Sequence, residues 1–173
     1  VRREHHRDAT VAIEAIKERR HLELVGEVER SGGFVEQQHV GRLRKGVLRV
    51  IKGSRPIWVH AVSVGEVMAA HPLIRDLRKK YPDRKLILST VTVTGHFTAL
   101  RRVPEADAVF YFPFDYPCIV RRVIQGINPE LVLVAETELW PNFFRELKRA
   151  GIPSAVINGR ISPNSHKNYL KLK

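Results

Sequence analysis

The chain has 173 residues, 43% of them hydrophobic, enough for a core of about one domain and too many for disorder throughout. Its formal net charge of +12 calls for an anionic partner, but the excess is spread: 13 Lys/Arg against 8 Asp/Glu in residues 1–55, and 17 against 10 in residues 56–173. That spread argues against one nucleic-acid-binding tail, and a single cysteine, Cys118, excludes an intrachain disulfide and a Cys-rich zinc site.

Residues 1–55 read as an N-terminal extension, helical or irregular. In Ala9–Glu18, Val11, Ala12, Ala15 and Ile16 recur at helical spacing. The stretches SGGFVEQQH and GRLRKG follow without sustained period, and a second helix is read near Val40–Lys52. No signal-peptide pattern opens the chain, and no apolar run reaches the roughly 18 residues that span a bilayer.

From Pro56 the pattern sharpens. Ile57–Val62 is a short apolar run rich in β-branched residues. Val67–Lys80 places Val67, Met68, Ala70, Leu73, Ile74 and Leu77 on one helical face; it ends in basic residues that suit the helix dipole, and Pro82 stops it. Lys85–Ser89 reads as a strand, Gly95–Arg102 as a helix, Ala108–Phe112 as a strand and Pro117–Gln125 as a helix. Glu130–Ala135 is a strand, Trp140–Ala150 a helix closed by Gly151, and Ser154–Ile157 a strand. Near-continuous apolar strands alternating with helices predict a parallel sheet covered on both faces, a Rossmann-like α/β unit. The second domain is accordingly placed at residues 56–173.

In such sheets the site lies beyond the carboxyl ends of the strands. Those ends carry SVGE (Ser63–Glu66), STVTVTG (Ser89–Gly95), PFDYP (Pro113–Pro117), ETELWPN (Glu136–Asn142) and NGRIS (Asn158–Ser162). Glu66 opens a helix, where a carboxylate complements the dipole and caps; it could equally serve as a general base, with Gly65 leaving the approach free. Glu136 and Glu138, two apart in an extended segment, would point the same way and crowd two carboxylates together, unless Glu138 caps the helix that follows. Arg160 is a candidate for bidentate phosphate or carboxylate binding, or simply a solvated arginine, and Asn158 precedes it. Thr94 and Gly95 offer an anion seat or ordinary capping. His60, inside the first strand, reads as a core histidine.

The chain contains no GxGxxG, GxxxxGK[ST], HExxH or GxSxG motif, and its eight histidines show no metal-ligand spacing. No basic stripe interleaved with aromatics is present, so nucleic acid is not the expected partner.

Taken in order, HAVSVGEV, STVTVTG, FYFPFDYP, INPELVLVAETELWPN and GIPSAVINGRIS resemble the amino-terminal half of the 3-deoxy-D-manno-octulosonic acid (Kdo) transferases over roughly Arg55–Leu172. The resemblance implies the acceptor-side domain of a GT-B glycosyltransferase whose donor-binding domain is absent from this chain, which alone should be inactive. It implies an inverting transfer of Kdo from CMP-Kdo to a lipid A precursor in lipopolysaccharide biosynthesis. Neither a metal nor another cofactor is implied. Glu66 stands where the family has its catalytic base and Glu136 where it has a carboxylate acting in the transition state; the family's transition-state lysine belongs to the other half. Ser63, Gly65, Thr94, Gly95, Glu138, Asn158 and Arg160 are the residues expected to bind substrate. The basic surface suits an anionic membrane, and the expected location is peripheral, at the cytoplasmic face of the bacterial inner membrane. The family often has Pro where Val93 stands and Ala where Gly159 stands, and its members usually begin with a hydrophobic anchor that Val1–Arg55 lacks. The alternatives are a non-catalytic basic α/β module binding anionic lipid or nucleic acid, and a GT-B glycosyltransferase with another acceptor.

Overall fold

The computed structural model describes residues 46–136 and 140–159, all within one compact unit, Arg42–Lys173. The helix read at Ala9–Glu18, and residues Glu138 and Arg160, lie outside the described residues, as do residues 40–45 of the helix read near Val40–Lys52; its residues 46–50 are helical. From Ile57 the described elements run β1 (Ile57–His60), α1 (Val64–Lys80), β2 (Leu86–Thr90), α2 (Val93–Arg102), β3 (Ala108–Tyr111), α3 (Pro117–Ile127), β4 (Leu131–Ala135), α4 (Pro141–Arg149) and β5 (Ser154–Ile157).

All five strands are parallel, in the order β3-β2-β1-β4-β5. Parallel neighbours cannot be joined by a tight hairpin, so each connection crosses over through a helix. The chain starts at the central strand, builds outward to β3, then returns to the other side of β1 and builds outward to β5. Every residue of β1 and β2 is buried, which is why apolar residues run through both strands without alternation until the polar residues at their carboxyl ends.

Strand geometry divides these side chains between two layers. Ile57, Val59, Leu86, Leu88, Leu133 and Ala135 face α1 and α2, meeting Val67, Ala70, Ile74, Ala99 and Val103. Trp58, Ile87, Phe110, Val132 and Val134 face α3 and α4, meeting Val120, Val123, Ile124, Ile127, Phe143 and Leu147. Val47 and Ile51, upstream of β1, pack into this second layer. Its centre is Trp58, fully buried, with ring centroids 5.4 Å from Phe110 and 5.0 Å from Phe143. Truncating a residue so enclosed costs about 3–5 kcal/mol.

The amino end of the sheet is tied by Asp107. Its carboxylate accepts from the Leu86 amide (2.8 Å), Arg78 Nη2 (2.5 Å) and Lys85 Nζ (3.0 Å). Partial burial opposes its ionisation, yet these donors hold the carboxyl below its ordinary range. The polar network lies at the end opposite the loops that follow the strands, leaving the carboxyl end to them.

Element boundaries move in ways that have local causes. Helix α1 begins at Val64, three residues before its apolar face, because Ser63 caps it. Helix α2 begins at Val93 because Thr92 caps it, its hydroxyl accepting from the Gly95 amide at 3.1 Å. Helix α3 runs on to Ile127, where Asn128 takes the left-handed conformation (φ 48°) that ends helices.

Candidate functional site

The strand order reverses between β1 and β4, and a crevice forms outside the carboxyl ends of two parallel strands that leave in opposite directions. In register, His60 lies opposite Val134. Three residues beyond His60 comes Ser63, and two beyond Val134 comes Glu136. The two corners with the strongest sequence signal therefore flank the switch point.

Glu66 is buried, at 7% exposure, in the first turn of α1. Its Oε2 accepts from the Val62 amide at 2.8 Å, and its Oε1 accepts from Ser63 Oγ at 2.9 Å. Ser63 Oγ in turn accepts from the Glu66 amide at 3.5 Å. This is a reciprocal capping arrangement, and the spacing Ser-x-x-Glu is its sequence signature. The cap does not exhaust the carboxylate, because each oxygen has a second lone-pair direction. Capping fixes where that remaining capacity lies. Gly65 is exposed, and among the described residues a Cβ there would meet only Ser63 Oγ, at 3.9 Å. Among the described residues, nothing else fills the space in front of the corner.

Behind the corner the packing is tight. The Val62 carbonyl accepts from the Val91 and Thr92 amides (3.2 and 3.1 Å) and from Thr92 Oγ1 (3.1 Å). A Cβ on Gly95 would fall 2.7 Å from Thr92 Oγ1, 3.1 Å from the Val62 carbonyl oxygen and 3.2 Å from the Ser63 carbonyl carbon. Gly95 thus lets α2 abut the backbone that holds Glu66. Thr94, beside it, is exposed.

At the other corner the chain does not continue extended. Glu136 has φ 59°, in the left-handed region, although its amide still donates to the Ile157 carbonyl of the neighbouring strand at 2.8 Å. The extended backbone expected at Glu136 is therefore not found there; its expected companion, Glu138, lies outside the described residues. Asn158 is also left-handed (φ 53°) and exposed, and a Cβ on Gly159 would lie 4.0 Å from the Glu136 carbonyl oxygen. The structure thus gathers Ser63, Gly65, Glu66, Thr94 and Gly95 at one corner, and Glu136 and Asn158 at the next.

His60 lies beneath these corners, fully buried as expected of a core histidine. Burial pushes its imidazole down to about 3, a hydrogen bond at Ser89 opposing the shift. Ser89 Oγ accepts from Trp58 Nε1 (2.8 Å) and sits 2.8 Å from His60 Nδ1. Among the described residues, His60 Nε2 and Trp140 Nε1 are buried without a hydrogen-bond partner. Sequence reasoning assigned no role to Asp115. Its Oδ2 accepts from the Asn142 amide and its Oδ1 from the Phe143 amide, at 3.0 and 2.8 Å. The available signal was negative: α4 opens with Trp-Pro, which brings no capping side chain of its own. No group of three or more His, Cys, Asp or Glu arranged to hold a metal occurs among the described residues.

A family description, "3-Deoxy-D-manno-octulosonic-acid transferase (kdotransferase)", matches residues 29–173. Among curated proteins, the chain is similar to the 3-deoxy-D-manno-octulosonic acid transferase of Haemophilus influenzae, 39% identical over 117 residues, covering 68% of this chain and 27% of the relative. It is similar to the enzyme of that name from Chlamydia trachomatis serovar D, 35% identical over 135 residues, covering 76% of this chain and 31% of the relative. It also matches a "Bifunctional glycosyltransferase/methyltransferase" of Fusobacterium nucleatum, 35% identical over 128 residues, covering 71% of this chain and 19% of the relative. The chain spans less than a third of the length of these relatives. With more than half its residues matched, and the two strand-end corners inside that match, the chain belongs to the 3-deoxy-D-manno-octulosonic acid transferase family.

Proposed function

We propose that this chain is the acceptor-side half of a GT-B enzyme that transfers Kdo from CMP-Kdo to a lipid A precursor, with Glu66 as general base. The observation that carries the reading is the placement of Glu66: a buried carboxylate, fixed by two hydrogen bonds, behind an open glycine corner at the strand-order switch. Its free lone-pair capacity takes the proton from a sugar hydroxyl of the acceptor. The resulting oxygen attacks the anomeric carbon of Kdo, and the bond from that carbon to the phosphate oxygen breaks. CMP leaves with the bonding electron pair, and the configuration inverts. Glu136, across the switch, acts on the charge that builds at the sugar in the transition state. Ser63 orients Glu66; Gly65 and Thr94 line the approach; Gly95 sets the packing behind it. Asn158, with Glu138 and Arg160 from the neighbouring loops, completes the acceptor side.

In a GT-B enzyme, donor binding and the remaining catalytic charge fall to the second domain. The net charge of +12 supports peripheral attachment at an anionic membrane surface, the cytoplasmic face of the inner membrane. Among the described residues, no helix is long and apolar enough to cross a membrane.

The test is a transfer assay with full-length enzyme, CMP-Kdo and lipid A precursor, with product followed by mass spectrometry. Kdo-bearing product is expected. Transfer from a different activated sugar, with none from CMP-Kdo, would overturn the assignment.

A further inference from the structure

We propose that Thr92 is a positioning residue for Glu66: its hydroxyl ties the start of α2 to the backbone of Val62, and Val62 in turn holds the carboxylate.

The link is continuous from residue to residue. The Ala61 amide still belongs to the sheet, donating to the Ser89 carbonyl of β2 at 2.9 Å. At Val62 the chain leaves β1, and both backbone groups of that residue find partners beyond the strands. The amide donates to Glu66 Oε2 at 2.8 Å. The carbonyl accepts from the Val91 and Thr92 amides, at 3.2 and 3.1 Å, and from Thr92 Oγ1 at 3.1 Å. Peptide groups are rigid planes, so the backbone moves only by turning about the bonds between them. The His60–Ala61 peptide is held by β2, and the Val62–Ser63 peptide by the turn that follows β2. The Ala61–Val62 peptide between them carries the N–H that meets Glu66, and its two neighbours set its orientation.

Of the three donors to the Val62 carbonyl, only the hydroxyl depends on which side chain is present. A threonine hydroxyl has one proton and two acceptor sites. The proton goes to Val62, and one acceptor site takes the Gly95 amide at 3.1 Å, which caps α2. One oxygen atom therefore satisfies the first turn of α2 and pins that turn to the corner that holds Glu66. Gly95 seats the helix against the same backbone, since a Cβ there would fall 3.1 Å from the Val62 carbonyl oxygen. With its proton committed to Val62, Thr92 has none to give a substrate, which sets it apart from the exposed Thr94.

The inference rests on the reading of Glu66 as general base. In full-length enzyme, Thr92→Val keeps the shape of the side chain and removes the hydroxyl, whereas Thr92→Ser keeps the hydroxyl. A displacement of about an ångström at a reacting group costs up to about a hundredfold in rate. Two amides still hold Val62 in T92V, so kcat per folded molecule should fall by about three- to thirtyfold, with KM for the acceptor nearly unchanged. T92S should restore most of that loss. Folded protein is counted by circular dichroism, so that lost stability is not read as lost turnover. T92V combined with Glu66→Gln should be no slower than E66Q alone, since the position of a base already removed no longer matters. Wild-type kcat in T92V beside a slow E66Q, a loss confined to KM, additive losses in the double variant, or T92S as slow as T92V would each overturn the positioning role alone. E66Q turning over at the wild-type rate would instead overturn the role of Glu66. If T92V does not fold, Thr92→Gly, which helices accept at the N-cap about as well as threonine, takes its place in the same comparisons.

Discussion

Acid should destabilise this protein well before its carboxylates titrate, and His60 is the reason. In the folded chain burial holds the imidazole neutral down to about 3, while the unfolded chain returns it to its ordinary value of 6.5. The unfolded state therefore binds the extra proton, and stability falls as pH falls. The contribution is fully present above pH 6.5 and is lost progressively down to about pH 3, at up to about 1.4 kcal/mol per pH unit. Between about pH 7.5 and pH 5 the loss comes to about 2 kcal/mol. Asp107, whose carboxyl is held below its ordinary range, loses its contribution only at lower pH, below the unfolded value of 3.8, so the two windows separate. The assay is urea unfolding of the full chain, followed by tryptophan fluorescence at each pH, for wild type and His60→Gln. Wild type should lose about 2 kcal/mol more than the variant over that interval. Equal losses would refute the burial argument, because they would mean that His60 finds water or a partner for its proton in the folded state.

Two further substitutions test the corner that holds Glu66. Gly95→Ala puts a methyl 3.1–3.2 Å from the backbone of Val62 and Ser63, which cannot rotate away. It should cost about 1–3 kcal/mol by chemical denaturation, and in the full-length enzyme it should also lower turnover. Wild-type values for both would show that α2 yields without disturbing the corner. Ser63→Ala removes the cap and one of the two donors to Glu66, and should cost about 1 kcal/mol in the same unfolding assay. No change would mean that the reciprocal cap contributes nothing.

The sheet was legible because its strands are buried on both faces: IWVH, LILST and LVLVA contain nothing that must face water. Its order was not, since periodicity does not say whether β4 joins β3 or returns to β1. That return is what makes the Glu66 and Glu136 corners neighbours across the switch. The role of Glu66 was half legible. Ser-x-x-Glu predicts a cap, but only the open space before Gly65 distinguishes a cap with spare acceptor capacity from one sealed by packing. Glu136 misled because extended geometry is the default after a strand, and a left-handed non-glycine residue is uncommon enough to carry no sequence signature. Asp115 was invisible for a related reason: its partners open another helix, and no local spacing links an aspartate to amides 27 and 28 residues away.

The most direct test of the central claim is Glu66→Gln in full-length enzyme, assayed for Kdo transfer from CMP-Kdo to lipid A precursor. Glutamine retains an acceptor oxygen and is accepted in the Ser-x-x-Glu/Gln cap, so α1 should start where it does and the fold should survive. It cannot take the hydroxyl proton, and loss of a general base costs about a hundred- to ten-thousandfold in rate. The account predicts a folded protein with turnover reduced by at least that lower factor; a folded Glu66→Gln enzyme transferring Kdo at the wild-type rate would contradict it.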